Sequence, residues 1–217
     1  MRLFSYWRSS SSYRVRIALA LKGIEAEVVP IHLRDGEQHA EAHLSRSPLG
    51  QVPVLEVDGP EGPVHLTQSV AILEYLEETY PEPPLLPRES IARAQTRALV
   101  EVVNSGIQPL QNFAVLKKLA ADHGADRIAW AAYHNLRGLE AMQRLAAPTA
   151  GRYCVGDEVT LADCALVPQL YNARRFGVDV DGALPLLARL DANLTALPAF
   201  QAAHPDRQVD APTDPPP

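Results

Sequence analysis

MRLFSYWRSSSSYRVRIALALKG, residues 1–23, sets a short apolar strand (2–7) directly before Arg8. Four serines, Ser9, Ser10, Ser11 and Ser12, come next, and then a helix (12–22) in which arginines alternate with aliphatic residues. Gly23 suits the left-handed residue that closes a helix. Hydroxyls and positive charge therefore gather where a first strand hands over to a first helix. The first N–H groups of a helix lack intrahelical partners and favour anions, so a thiolate or carboxylate is the natural guest.

Residues 27–32 read as a second strand rich in β-branched side chains, 39–47 as a short polar helix, and 52–57 as a third strand. Gly59 and Gly62 mark a turn before a short strand at 64–66. Val70, Ile72, Leu73 and Leu76 then recur at helical spacing over 69–80. A βαβ unit implies parallel pairing with a right-handed crossover. The last two strands are joined too tightly for a crossover and must form a hairpin. The resulting order, βαβαββα, is a thioredoxin-like α/β arrangement.

Pro81, Pro83, Pro84 and Pro87 break the pattern. Beyond them strand signals vanish, and helices are expected over 91–122, 127–146, 161–176 and 184–202. The expected organisation is a ligand-binding α/β domain (1–82), a linker (83–90), an all-helical domain (91–204) and a loose Pro- and Asp-rich tail (205–217).

The chain has 217 residues and a formal net charge of −6, which argues against a basic groove for nucleic acid. No apolar run reaches membrane-spanning length and no secretory leader is recognisable, so cytoplasm is the expected compartment. Cys154 and Cys164 read as reduced packing residues. Seven histidines show no metal-ligand spacing, and no metal is expected.

Val52-Pro53 suits a cis proline whose turn exposes backbone for pairing with an extended ligand; an ordinary strand-start proline is the alternative. Gln51 offers an amide at the same rim. Ser69 reads as a helix N-cap, alone or holding a ligand carboxylate together with Gln68. The four serines could merely cap their helix. They lie in no Gly-x-Ser-x-Gly elbow, so a serine hydrolase is disfavoured, but a hydroxyl donating to an external thiolate needs no such base. Gln108, Pro109, Gln111 and Asn112 interrupt an apolar helix with a polar kink. Arg174 and Arg175 end a helix where positive charge suits its dipole. Thr160-x-x-Asp163 is a capping pattern, so Asp163 is expected to serve folding rather than acid catalysis.

Taken in order, these segments resemble the zeta class of glutathione transferases over almost the whole chain. The resemblance is carried by RSSSSYRVRIAL (8–19), QVP (51–53), QS (68–69), GIQPLQN (106–112), YCVGD (153–157) and LAD (161–163). It implies the glutathione transferase fold, with glutathione as cofactor and a homodimer as the assembly. It further implies cis–trans isomerisation of maleylacetoacetate by reversible thiolate addition, in tyrosine or aromatic-acid breakdown. The alternatives are maleylpyruvate isomerisation and general conjugation of small electrophiles.

By that match Ser9 is the thiol-activating serine, with Ser10 beside it. Ser11 stands where the family usually carries cysteine. Val52, with Gln51 and Pro53, holds the glutathione backbone, and Gln68 and Ser69 hold its γ-glutamyl end. Gln108, Gln111 and Asn112 are further contacts. Arg8 and Arg175 bind the carboxylates of a small dicarboxylate keto acid.

Overall fold

The computed structural model describes residues 1–213. Two compact units divide the chain. The first comprises Met1–Pro84 together with the described residues from Leu197 onward; the second is Leu85–Ala196. The expected boundaries differ at both ends. Leu85 and Leu86, expected in a linker, are buried, and the Leu85 carbonyl accepts from the Leu161 amide within the second unit.

The first unit holds β1 (Arg2–Ser5), α1 (Ser10–Leu21), β2 (Glu27–Pro30), α2 (Glu41–Leu44), β3 (Val54–Gly59), β4 (Gly62–Thr67) and α3 (Ser69–Thr79). The sheet order is β2-β1-β3-β4, with β1 parallel to β2 and the other two pairings antiparallel. This is the expected thioredoxin-like topology. The polar stretch after β2 is a 3-10 turn (Glu37–His39) followed by the single-turn α2, rather than one helix. Phe4, Leu55 and Val54 point from the sheet into buried layers. α1 is buried along most of its length, including Arg14 and Arg16. Lys22 at its C-cap is buried too, with Nζ donating to Glu77 Oε2 (2.8 Å), Tyr80 O (2.7 Å) and Pro83 O (2.9 Å). All three ammonium protons are thus used, which is what makes a buried lysine tolerable.

The second unit contains α4 (Ser90–Glu101), α5 (Gln108–Gln111), α6 (Phe113–His123), α7 (Arg127–Ala146), α8 (Leu161–Arg175), α9 (Val180–Ala183) and α10 (Pro185–Thr195). The helix expected over 91–122 is broken by a π-helical stretch, Val102–Ile107. Pro109 has no N–H to continue an α ladder. Gly138 of α7 lies so close that a Cβ there would meet Ile107 Cγ1 at 2.2 Å. α8 runs through the core, with Leu161 through Leu170 buried. It begins in the expected capping box of Thr160 and Asp163.

The helix expected over 184–202 is likewise split, because Pro198 cannot donate to the preceding turn. Its second part, α11 (Pro198–Ala203), packs on α1 in the first unit. The segment expected to be a loose tail is hydrogen-bonded as far as Ala211. A 3-10 turn (Pro205–Arg207) follows α11. Gln208 Nε2 donates to Ala202 O and His204 O. Asp210 Oδ2 accepts from the Trp7 amide at 2.8 Å. The last four residues of the expected tail lie outside the described residues. No helix of the described chain is long and apolar enough to cross a membrane.

Candidate active site

The register Phe4↔Val54↔Thr67 aligns the end of β1, the start of β3 and the end of β4. Three turns therefore leave the same end of the sheet, carrying Arg8 and Ser9, Gln51 to Pro53, and Gln68 with Ser69. Residues spaced across sixty positions are brought together by pairing that no local motif encodes.

Ser9 is the N-cap of α1; its Oγ accepts from the Ser12 amide at 3.2 Å. That bond uses a lone pair on the oxygen, so the hydroxyl proton is still available to a ligand anion. Ser10 and Ser11 are the first two residues of the helix and are half-buried. Arg8 is 6% exposed, and its guanidinium lies 5.3 Å from the Trp7 ring centroid. The cap, the dipole and this cation all favour negative charge at one place.

The Val52-Pro53 peptide bond is cis. Val52 stands ahead of the first ladder pair at Val54, so its backbone faces the rim rather than a neighbouring strand. Gln51 is gripped at both backbone groups. Its N–H donates to Ser47 Oγ (3.2 Å), and its carbonyl bonds the buried His43 ring at Nε2 (3.0 Å). A carbonyl only accepts, so this His43 carries its proton on Nε2. The Gln51 side chain itself is exposed.

The N-cap of α3 is Gln68, not Ser69 as expected. Gln68 takes a left-handed φ of 66° and its carbonyl accepts from the Ile72 amide. Ser69 is the first helical residue and is buried. Its Oγ accepts from the fully buried Arg14 at Nη1 (3.3 Å). With its oxygen accepting from a cation, Ser69 has its proton to give to a carboxylate.

In the helical unit Gln111 does not present an open amide. Its Oε1 accepts from Asn135 Nδ2 (2.6 Å) and Gln169 Nε2 (3.3 Å), and its Nε2 donates to Gln169 Oε1 (3.3 Å). Gln169 also donates to Asn135 Oδ1. Gln108 Nε2 reaches the edge of this buried network at Gln169 Oε1 (3.4 Å). Asn112 caps α6 through the Ala114 amide. Gln111 therefore spends its amide on the fold, the exposed Asn112 spends only its oxygen on a cap, and Gln108 is half-buried.

Arg174 and Arg175 part company. Arg174 pairs with Asp191 (2.7 Å) and Asp181 (3.6 Å). Arg175 donates Nη1 to Asn172 Oδ1 (3.1 Å) and lies 5.8 Å from the Tyr171 and Phe176 centroids. Asp163 is wholly buried and accepts from the amides of Cys154 and Thr160 and from the Thr160 hydroxyl. Burial pushes its carboxyl above the usual range, while those donors pull the other way. Burial also lifts the Cys154 thiol well above its ordinary value, so it is no nucleophile. Among the described residues no cluster of three or more His, Cys, Asp or Glu could hold a metal ion.

Residues 1–78 match the family model for the glutathione S-transferase N-terminal domain, and residues 134–198 the C-terminal domain. The maleylacetoacetate isomerase of Mus musculus is 47% identical over 214 residues, covering 98% of this chain and 95% of the relative. The zeta-class glutathione S-transferase of Euphorbia esula is 45% identical over 213 residues, covering 97% of this chain and 92% of the relative. This chain belongs to the zeta-class glutathione transferases. The crystal structure of maleylacetoacetate isomerase from Anaeromyxobacter dehalogenans 2CP-1 has GSH bound in its active site. It superposes with a TM-score of 0.90 at 53% identity, covering 97% of both chains. The same Anaeromyxobacter protein is known with dicarboxyethyl glutathione and citrate in its active site. A bacterial zeta-class maleyl pyruvate isomerase superposes with a TM-score of 0.91 at 41% identity, covering 98% of this chain and 100% of that one.

Ser11, the second residue of α1, stands where the resemblance implies a cysteine. The structure brings Arg8, Ser9, the Gln51-Val52-Pro53 turn and the Gln68-Ser69 pair, all named from the sequence, to one end of the sheet. Not singled out in the sequence are Arg14, which bonds Ser69, His43 and Ser47, which bond Gln51, and the Gln169–Asn135 pair, which bonds Gln111. Two arginines inside an otherwise apolar helix were the one available signal for Arg14. No local signal marked His43.

Proposed function

We propose that this chain catalyses glutathione-dependent cis–trans isomerisation of maleylacetoacetate. The observation that carries the reading is the donor set at one end of the sheet. Ser9 with the α1 N-terminus suits a thiolate, the Val52 turn suits an extended peptide backbone, and Ser69 with the α3 N-terminus suits a carboxylate. These groups fit glutathione end to end.

When bound, glutathione supplies a thiolate whose reversible addition to the conjugated alkene gives a bond that can rotate. Ser9 donates its hydroxyl proton to the sulfur and holds it ionised. The α1 N–H groups and Arg8 add a field that favours the same charge. As charge moves from sulfur toward the substrate keto oxygen, Arg8 is the cation already in place to receive it. Ser69 and Gln68 orient the γ-glutamyl carboxylate, and the Val52 backbone sets the peptide's direction. Arg175, oriented by Asn172 and flanked by two rings, is assigned to a substrate carboxylate. No residue of the chain is consumed, and Ser11 in place of cysteine leaves this chemistry intact.

Identity is 47% to the mouse maleylacetoacetate isomerase and 53% to the Anaeromyxobacter one, against 41% to the bacterial maleyl pyruvate isomerase, which favours maleylacetoacetate over maleylpyruvate. The assembly is proposed to be a homodimer and the compartment the cytoplasm. The test is isomerisation of maleylacetone and of maleylpyruvate by enzyme freed of small thiols, with and without added glutathione. Glutathione-dependent turnover that prefers maleylacetone supports the reading. Thiol-independent turnover, or conjugation of a chlorinated nitroarene without isomerisation, overturns it.

A further inference from the structure

The turn that carries Arg8 and Ser9 is fastened by chain from the far end of the sequence. The Trp7 amide donates to Asp210 Oδ2 at 2.8 Å. The Trp7 carbonyl accepts from Arg16 Nη2 at 2.9 Å. Arg16 Nη1 reaches Ser5 Oγ (3.1 Å) and Tyr6 O (3.4 Å), and Arg16 Nε donates to Ala203 O (3.1 Å). Both backbone groups of Trp7 are thus held, one by the C-terminal segment directly and the other by a buried arginine that the same segment engages. The Ser9 amide closes the turn on Tyr6 O at 3.0 Å.

This arrangement is more than covering a loop. Ser9 acts on a sulfur atom only if its Oγ sits within hydrogen-bond reach, and Arg8 only if its guanidinium faces the developing charge. A turn with no ladder of its own needs outside partners to hold such positions. α11 packs on α1, which brings residue 203 to Arg16, and the 3-10 turn at Pro205–Arg207 redirects the chain so that Asp210 meets Trp7. The second carboxylate oxygen of Asp210, Oδ1, is buried with no hydrogen-bond partner among the described residues. An exposed tail aspartate would solvate both oxygens. Here one is given up to keep the other on the Trp7 amide.

We propose that Asp210 and Arg16 are positioning residues for the thiol-activating turn, so that the C-terminal segment is part of the catalytic apparatus although it touches no reactant. The proposal deepens the isomerase reading and rests on it for its kinetic arm only. A second arm reads the turn itself.

The experiment compares the full-length wild type with Asp210→Ala and Asp210→Asn. Asn keeps an oxygen to accept from Trp7, so it is the conservative rescue. Amide hydrogen exchange of residues 6–12 is expected to rise in Asp210→Ala and stay near wild type in Asp210→Asn, while exchange in β3 and α8 is unchanged. With glutathione, Asp210→Ala is expected to lose about tenfold in kcat/KM and to show a bound-thiol pKa moved upward. Asp210→Asn is expected to recover most of both. Unchanged exchange in 6–12 overturns the proposal whatever the enzyme's activity. So does faster exchange there with kinetics and thiol pKa like wild type. A wild type without glutathione-dependent turnover would sink the isomerase reading and leave the exchange arm to judge the fastening alone.

Discussion

Ser9 has two jobs in the structure, and they can be separated by experiment. Its Oγ caps α1 by accepting from the Ser12 amide, and its hydroxyl proton is assigned to the glutathione sulfur. Ser9→Ala removes both. Loss of a serine cap costs about 1 kcal/mol, which for a chain of this size lowers the melting temperature by about 2–4 °C. Ser9→Gly also removes the hydroxyl, but glycine is a good N-cap and costs only a few tenths of a kcal/mol. A hydrogen bond to a charged group contributes about 1.5–3 kcal/mol net. At about 1.4 kcal/mol per pKa unit, its loss raises the bound thiol by about one to two units. Near neutral pH the thiolate fraction, and with it kcat/KM for glutathione, falls by up to about 10–100-fold in both variants. The sign follows from the acid: a raised thiol pKa costs most below that pKa and nothing well above it. The deficit is therefore expected to shrink as pH rises. The assay is kcat/KM for glutathione against pH, alongside a thermal melt. If Ser9→Gly keeps wild-type activity while Ser9→Ala loses it in proportion to stability, Ser9 is a cap alone and the assigned chemistry is wrong.

Arg175→Ala is expected to raise KM for a dicarboxylate substrate while KM for glutathione changes little; steady-state titration of each substrate checks this, and equal losses would refute the division of labour. Asp163→Ala leaves the buried Cys154 and Thr160 amides unpaired and removes a cap, for a loss of about 3–5 kcal/mol. Its melting temperature should fall by roughly 10 °C, while turnover per folded molecule stays near wild type in the cold. Glu56 is held below the usual carboxylate range, first by the hydrogen bond from Arg2 and then by His65. A lowered folded-state pKa stabilises above the unfolded value near 4.5 and is lost as pH falls through the folded one. The melting-temperature gap between wild type and Glu56→Gln should thus be widest near neutrality and close in acid.

Much of the fold was legible because its signals are local. Alternation and β-branched residues marked the strands, apolar spacing marked the helix of Ser69–Thr79, and the short link between the last two strands required a hairpin. The expected helix over 127–146 matches α7, Arg127–Ala146, although Asn135 sits buried among its apolar residues. The π-helical break at Val102–Ile107 was not legible. Pro109 announces a kink just after it, but only packing sets Gly138 of α7 so close that a Cβ there would meet Ile107 Cγ1 at 2.2 Å. Gln111 looked like a ligand-facing amide, yet its neighbours Asn135 and Gln169 claim both ends of the side chain.

The chain by itself determined what each turn can offer a ligand: a hydroxyl and a cation before one helix, a cis-prone proline before a strand, and a serine opening another helix. These are properties of residue type and immediate neighbours, so they survive translation from string to structure. Tertiary structure alone decided what holds those groups still. Sheet register set Phe4, Val54 and Thr67 side by side. Burial turned Arg14 and Arg16 inward, and the last helix carried Asp210 back to Trp7. A buried donor or acceptor must find its partner wherever in the chain that partner is, and such pairings span 55 residues for Arg14 and Ser69 and 203 for Trp7 and Asp210.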